Sequence, residues 1–313
     1  MRRSFGMVLA IVLVTGCQGS EVISAPEGPM RIGTGNAGGV YAVYGEGMAE
    51  AVRENFSRVT TEVVASDGSV ENITMVTSGK VEVGFALADV AADAVAGRPP
   101  FTEPQPIVAL ANLYENYVQL VVRDHGSIKS LQDLAGRRIS VGSRASGTAV
   151  VAERILNVAG LGDDVIRRHL DIKVSARALA ENEIDAFFWS GGLPSDAITQ
   201  LMHDTDVRLI DLKQVAQPLI RAHGELYTET TVPASVYGLS SAVTTVSVPN
   251  YLVVGRDMPL TKAYWLTRLL FDEQQKLAQT HPEGHHLDQW TAVRTYPLEL
   301  HEGAARWYRS VHR

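Results

Sequence analysis

A glycine-dense turn between an extended run and a helix-forming run does most to limit what this chain can become. It reads Arg31-Ile32-Gly33-Thr34-Gly35-Asn36-Ala37-Gly38-Gly39-Val40-Tyr41. A short strand signal ends in it, and residues 42–55 read as a helix. Glycines let the main chain turn sharply and let another group approach it closely. The start of the following helix offers unpaired N–H groups and a positive dipole end, which together favour an anion.

The same device recurs. Ser66-Asp67-Gly68-Ser69, Leu87-Ala88-Asp89, Ser143-Arg144-Ala145-Ser146-Gly147-Thr148 and Ser190-Gly191-Gly192 each end a strand signal and open a helix. Strand and helix signals alternate along the chain, which predicts an α/β protein with parallel strands. Strands are expected at 59–65, 81–86, 138–141, 186–189 and 207–212, with helices at 69–78, 89–96, 147–159 and 195–203. Two apolar runs at 107–113 and 117–122 read as successive strands, as do 243–248 and 251–254 around Pro249. Residues 128–134 read as a short helix, 171–174 as a weak strand, 176–182 as a helix and 304–312 as a short last helix. The longest amphipathic helix signal covers 260–280, and 213–245 is broken by Pro218, Pro233 and Gly238. In open α/β sheets ligands sit at the carboxyl ends of strands, so all five turns belong on the side where a cleft forms.

At 313 residues the chain is long enough for two lobes. A formal charge of −7 argues against nonspecific nucleic-acid binding, whose footprint is basic. The beginning is a targeting segment rather than fold. Arg2 and Arg3 form a basic region, residues 5–14 a short apolar one, and cleavage is expected after Gly16. Cys17, the one cysteine of the chain, directly follows Leu13-Val14-Thr15-Gly16, an arrangement that resembles a bacterial lipobox. The expectation is signal peptide 1–16, a lipid on Cys17 and a polar tether over 17–29. That places the protein outside the membrane as an anchored lipoprotein, with no thiol left for a metal site or a nucleophile.

Gly33-Thr34-Gly35-Asn36-Ala37-Gly38 also has the literal spacing of a dinucleotide fingerprint. The first acid after the next strand, Asp67, lies 29 residues past Gly38 rather than about 20, and an exported protein has little access to such a cofactor. A structural turn and a small-anion site remain. For the anion site the turns nominate Thr34, Gly35, Asn36, Tyr41, Gly68, Ser69, Asp89, Ser143, Arg144, Ser146, Gly147, Thr148, Ser190 and Gly191. Arg144 offers a guanidinium for a carboxylate, and Tyr114 and Trp189 serve as aromatic walls. No G-x-S-x-G elbow or H-E-x-x-H is present, so no enzyme is expected. His281, His285 and His286 form a Pro- and Gly-broken loop with no evident third acidic ligand, so neither a metal nor a cofactor is expected.

Ile32-Gly33-Thr34-Gly35, Gly38-Gly39-Val40-Tyr41, Ser69-Val70-Glu71-Asn72, Asp133-Leu134-Ala135-Gly136, Ser146-Gly147-Thr148, Ile184-Asp185-Ala186-Phe187-Phe188 and Gly191-Gly192-Leu193-Pro194 occur in this order along the chain. Together they resemble the TAXI family, the solute-binding proteins of tripartite ATP-independent periplasmic (TRAP) transporters. Where the family usually shows Gln-Ser-Asp this chain has Leu87-Ala88-Asp89, and Ser143-Arg144-Ala145 replaces the common Ala-Pro-Gly. The resemblance implies a two-lobed periplasmic-binding-protein fold of type II, with crossovers near Val122 and Pro249. Lobe one would be 30–122 plus 250–313, and lobe two 123–249. It further implies a small anionic ligand of the glutamate or 2-oxoglutarate kind and a TRAP permease as partner. A ligand-sensing lipoprotein without transport is the alternative that the residues do not separate, and a secreted enzyme is a more remote one.

Overall fold

The computed structural model describes residues 23–312. The lipobox and Cys17 lie outside them. The first α/β run comprises β1 (Gly28–Gly33), α1 (Val40–Asn55), β2 (Val59–Val64), α2 (Ser69–Thr77), β3 (Val83–Leu87) and α3 (Ala88–Ala96). A 17-residue strand, β4 (Ile107–Arg123), leads to the second run. That run has β5 (Arg138–Ser140), α4 (Gly147–Val158), β6 (Ile166–Arg168), α5 (Ile172–Ala180), β7 (Ala186–Gly191), α6 (Asp196–Asp204) and β8 (Val207–Leu209). It continues through α7 (Lys213–His223), β9 (Thr228–Val232) and α8 (Ala234–Tyr237). The chain then returns along β10 (Val243–Gly255) and closes with α9 (Leu260–Asp272), α10 (Gln274–Thr280) and α11 (Glu302–Val311).

All strands join one sheet in the order β2-β1-β3-β10-β4-β7-β5-β6, with β8 added to β4 and β9 to β10. β1 runs parallel to β2 and β3, and β5 parallel to β6 and β7. The two long strands are antiparallel to each other and to their flanking neighbours. β4 and β10 therefore run through both halves of the molecule. β10 pairs with β9 over Val243–Ser247 and with β3 over Asn250–Val254. β4 begins to pair with β7 at Tyr117, well before the expected crossing near Val122. The crossing near Pro249 falls where β10 changes neighbours.

Each of these strands reads in the sequence as two apolar runs because polar side chains interrupt it. Glu115 and Asn116 split β4, and Pro249-Asn250 splits β10. The register between the two shifts at Asn250/Tyr251 and again at Leu252/Val253, so the ladder bends without breaking.

Other differences have local causes. The weak strand expected at 171–174 is the start of α5, because the Asp171 side chain accepts from Val174 N at 2.8 Å and caps a helix there. The long helix expected over 260–280 divides at Glu273 into α9 and α10. The 213–245 stretch contains α7, with Pro218 inside it, and the hairpin partner of β10. One apolar cluster packs α1, α9 and α11 on the first half, around Tyr44, Met48, Leu266 and Trp307. Another packs α5 and α6 on the second, around Ile172, Phe187 and Ile198. The carboxyl ends of β1, β3, β5 and β7 face a cleft between these bodies.

Candidate functional site

A pocket of about 30 Å³ lies in this cleft; on that measure one water needs roughly 10–15 Å³. Gly35, Asn36, Gly39, Val40, Tyr41, Asp67, Gly68, Ser69, Leu87, Tyr114 and Asn116 line it from one side. Ser146, Gly147, Thr148, Trp189, Ser190 and Gly191 line it from the other.

The sequence makes this closeness possible at a few positions. Gly38 has φ +92°, a backbone conformation that side chains disfavour. A Cβ on Gly39 would stand 3.1 Å from the Trp189 ring, so α1 begins with its backbone against the indole of the opposite half. A Cβ on Gly147 would meet Leu87 Cδ1 at 2.5 Å and Ser69 Oγ at 2.6 Å. Trp189 is held by its Nε1–H, which donates to Ser195 Oγ at 2.8 Å.

Three helix starts converge here: α1 at Val40, α2 at Ser69 and α4 at Gly147. They are not equivalent. Ser146 Oγ caps α4 by accepting from Ala149 N at 3.0 Å. At α2, the N–H groups of Val70 and Glu71 both donate to Ala145 O, at 3.1 Å each. Two donors of α2, Val70 N and Glu71 N, are thus taken up by the opposite half, and the α1 and α4 starts face the cavity.

The polar side chains around the cavity are partly satisfied by one another. Tyr41 Oη donates to Asn250 Oδ1 at 2.8 Å. Ser69 Oγ accepts from Leu87 N at 3.0 Å, and Thr148 Oγ1 accepts from Ser190 N at 3.1 Å. Tyr114 Oη, Asn116 Oδ1, Ser190 Oγ and Asn250 Nδ2 are buried without a partner. Unpaired buried groups of this kind are disfavoured unless something completes them. Burial pushes the Tyr41 and Tyr114 hydroxyls well above the ordinary phenol range, so both are neutral donors. Among the lining residues there is no Lys or Arg; the one carboxylate is Asp67, whose Oδ2 accepts from Ala145 N at 3.1 Å.

Most residues nominated from the five turns meet at this pocket, but four do not line it. Thr34 is buried beneath it, its Oγ1 donating to Val64 O at 3.2 Å. Ser143 donates to Asn36 Oδ1 at 3.2 Å, so it ties the halves together. Arg144 is exposed; its turn presents Ser143 and the Ala145 backbone inward and the guanidinium outward. Asp89 is turned away from the cavity onto Arg154 of α4, whose Nη1 donates to Asp89 Oδ2 at 2.8 Å.

Sequence reasoning missed Gly39, Val40, Asp67, Leu87 and Asn116 as lining residues, and Asn250 behind them. The available signal was polarity out of place: Asn116 and Asn250 each interrupt an otherwise apolar strand run.

Two seams flank the pocket. In the first, Arg154 bridges Asp89 and Asp93 of α3 and donates to Tyr227 Oη at 2.9 Å, while Tyr227 Oη donates to Asp89. Burial lowers the Arg154 pKa, but Tyr227 together with Asp89 and Asp93 outweighs it and raises the value, and burial raises that of Asp89. In the second, Glu283, 1 % exposed, accepts from Leu193 N at 2.5 Å. His281 Nδ1 accepts from Glu283 N at 3.2 Å, leaving Nε2–H to donate to Pro194 O at 3.1 Å. The histidine segment thus belongs to a contact between halves, and among the described residues no group of three His, Cys, Asp or Glu side chains is placed to hold a metal.

Comparison with known proteins bears on this arrangement. The model of the NMT1-like family matches residues 32–311. The fold is that of type II periplasmic solute-binding proteins. The periplasmic aliphatic sulphonate binding protein SsuA from Escherichia coli is similar at 14 % identity, with 91 % of this chain and 84 % of that one covered and a TM-score of 0.50. An ancestral arginine-binding protein bound to arginine is similar at 14 % identity over 82 % and 98 %, with a TM-score of 0.53. A structure from work on glutathione import via GshT and the cystine ABC importer TcyBC of Streptococcus mutans is similar at 13 % over 82 % and 93 %, with a TM-score of 0.52.

Proposed function

The chain belongs to the NMT1-like family, and from that premise we propose that it is a solute-binding receptor. It closes two lobes on a small organic acid and delivers it to a membrane permease. The observation that carries this reading is the pocket itself. It lies between two halves joined by β4 and β10, two helix starts face it, and four buried polar atoms around it lack partners.

The binding step follows from these groups. The carboxylate enters between the starts of α1 and α4, where N–H groups and dipole ends favour negative charge. Ser190, Tyr114 and Asn250 supply further donors. Closure brings Trp189 over Gly39 and forms the Arg154 and Glu283 seams. Those contacts exist only when the halves meet, so they and the ligand together favour the closed state. Residues 30–122 with 250–313 form one lobe in this reading and 123–249 the other, with the change of lobe spread along the two long strands.

The finer reading is a TAXI-type receptor serving a TRAP permease from outside the membrane, tethered by a lipid on Cys17. It is supported by the ordered motif series and the lipobox-like segment. The ligand-binding part is tested by mass spectrometry of small molecules that co-purify with the protein, followed by calorimetry with the compound found. Recovery of an organic acid that binds stoichiometrically is expected. An empty pocket and no heat with a broad panel of organic acids would overturn the reading.

A further inference from the structure

We propose that the pocket selects a compact acid with one carboxylate and one hydrogen-bond donor beside it, and rejects acids with a second negative charge. This rests on the receptor reading above and narrows its ligand.

Charge is the first argument. A single carboxylate can be shared by the α1 and α4 starts. A second one would find the α2 start mostly occupied, because Val70 N and Glu71 N already donate to Ala145 O at 3.1 Å. It would find no guanidinium, since Arg144 is exposed and Arg154 is bound to Asp89 and Asp93. It would instead meet Asp67, the carboxylate on the lining. Like charges at short range in a partly dry site repel strongly.

The second argument is the unpartnered acceptor. Asn116 Oδ1 is buried without a donor, in a residue 2 % exposed, at the pocket wall. A carboxylate oxygen cannot satisfy it, because both are acceptors. A hydroxyl or an amine on the ligand can. The amine would also suit Asp67, so hydroxy acids and neutral amino acids share the required chemistry. The third argument is size: a cavity of about 30 Å³ has room for a few water-sized groups.

The test is calorimetry of the purified protein with L-lactate, L-alanine, pyruvate, 2-oxoglutarate and L-glutamate. At least one donor-bearing monoacid, lactate or alanine, is expected to bind about tenfold tighter than pyruvate, which offers no donor. Whichever of the two is tighter assigns hydroxyl or amine. Both dicarboxylates are expected to be weaker than pyruvate. Asn116→Ala is expected to erase the donor advantage, bringing the ratio of donor-acid to pyruvate affinity to about one. Equal losses for donor and non-donor acids would make Asn116 merely structural and overturn the assignment. Dicarboxylates binding as tightly as the monoacids would overturn this inference and leave the receptor reading standing. Silence from all five acids would overturn this inference, while the co-purification experiment above decides the organic-acid reading.

Discussion

The pocket and the Arg154 seam lie on the same cleft and are built from opposite materials. The seam concentrates buried charge: one guanidinium, two carboxylates and a phenol, joined across α3 and α4. The pocket is walled by hydroxyls, amides, helix starts and one indole, with a single carboxylate and no cation. The difference teaches a division of labour. Buried ion pairs need good geometry to offset desolvation, so they fix how the halves meet. Neutral polar groups leave part of their hydrogen bonding open, so they choose what is enclosed.

The largest effect that tests this division should come from Arg154→Met. It leaves Asp89 and Asp93 buried in the closed form without their shared partner, which costs about 3 kcal/mol or more. Affinity for the co-purifying solute should fall roughly a hundredfold, while circular dichroism shows an intact fold. Retained affinity would mean that the seam plays no part in closure.

Gly147→Ala comes next. Its Cβ would press on Leu87 and Ser69 of the other half, costing the closed state about 1–3 kcal/mol. Small-angle scattering should show a more open average shape with ligand present, and an unchanged profile would count against the contact as a closure limit. Asp67→Asn is predicted to act on selection. The penalty against 2-oxoglutarate should relax by roughly 1 kcal/mol, with little change for pyruvate, and a uniform change across both would contradict the pocket's role in choosing charge.

The smallest effect concerns the second seam. Hydrogen bonding to Glu283 raises the His286 pKa above its ordinary value. A raised folded-state pKa adds stability that is present below the unfolded value of about 6.5 and is lost as pH rises through the folded one. The imidazole is largely exposed, so solvent screens the pair. The melting-temperature difference between wild type and His286→Gln should therefore be small, larger at pH 6 than at pH 8. The opposite trend would remove this histidine from the seam's energetics.

Much of the fold was legible because its signals are local. A glycine turn, a capping serine and a following apolar helix identify themselves within ten residues, and the clustering of such turns at strand ends made most of the pocket readable. Ser146 is of this kind; Ser69 is not, because Gly68 caps α2 and the Ser69 hydroxyl accepts from Leu87 N instead.

What was not legible depends on distance along the chain. Nothing near Arg154, in mid-helix, announces partners 61 and 65 residues away. Glu283 meets Leu193 across 90. Arg144 misled for the converse reason. Its position in a cleft-side turn was right, but which way a turn points its side chains is set by the opposing surface. The two long strands looked like four because polar residues interrupt their apolar runs, and two of these, Asn116 and Asn250, belong to the pocket wall and the layer behind it.

The bond from Val70 and Glu71 to Ala145 has one more consequence. These two amides are sealed only while the halves are together. Whenever the cleft gapes, the Ala145 carbonyl departs and both protons become free to trade with deuterium. They form a built-in gauge: their exchange reports how much of the time the cleft is open, and its slowing by a solute measures how far that solute shifts the balance toward closure.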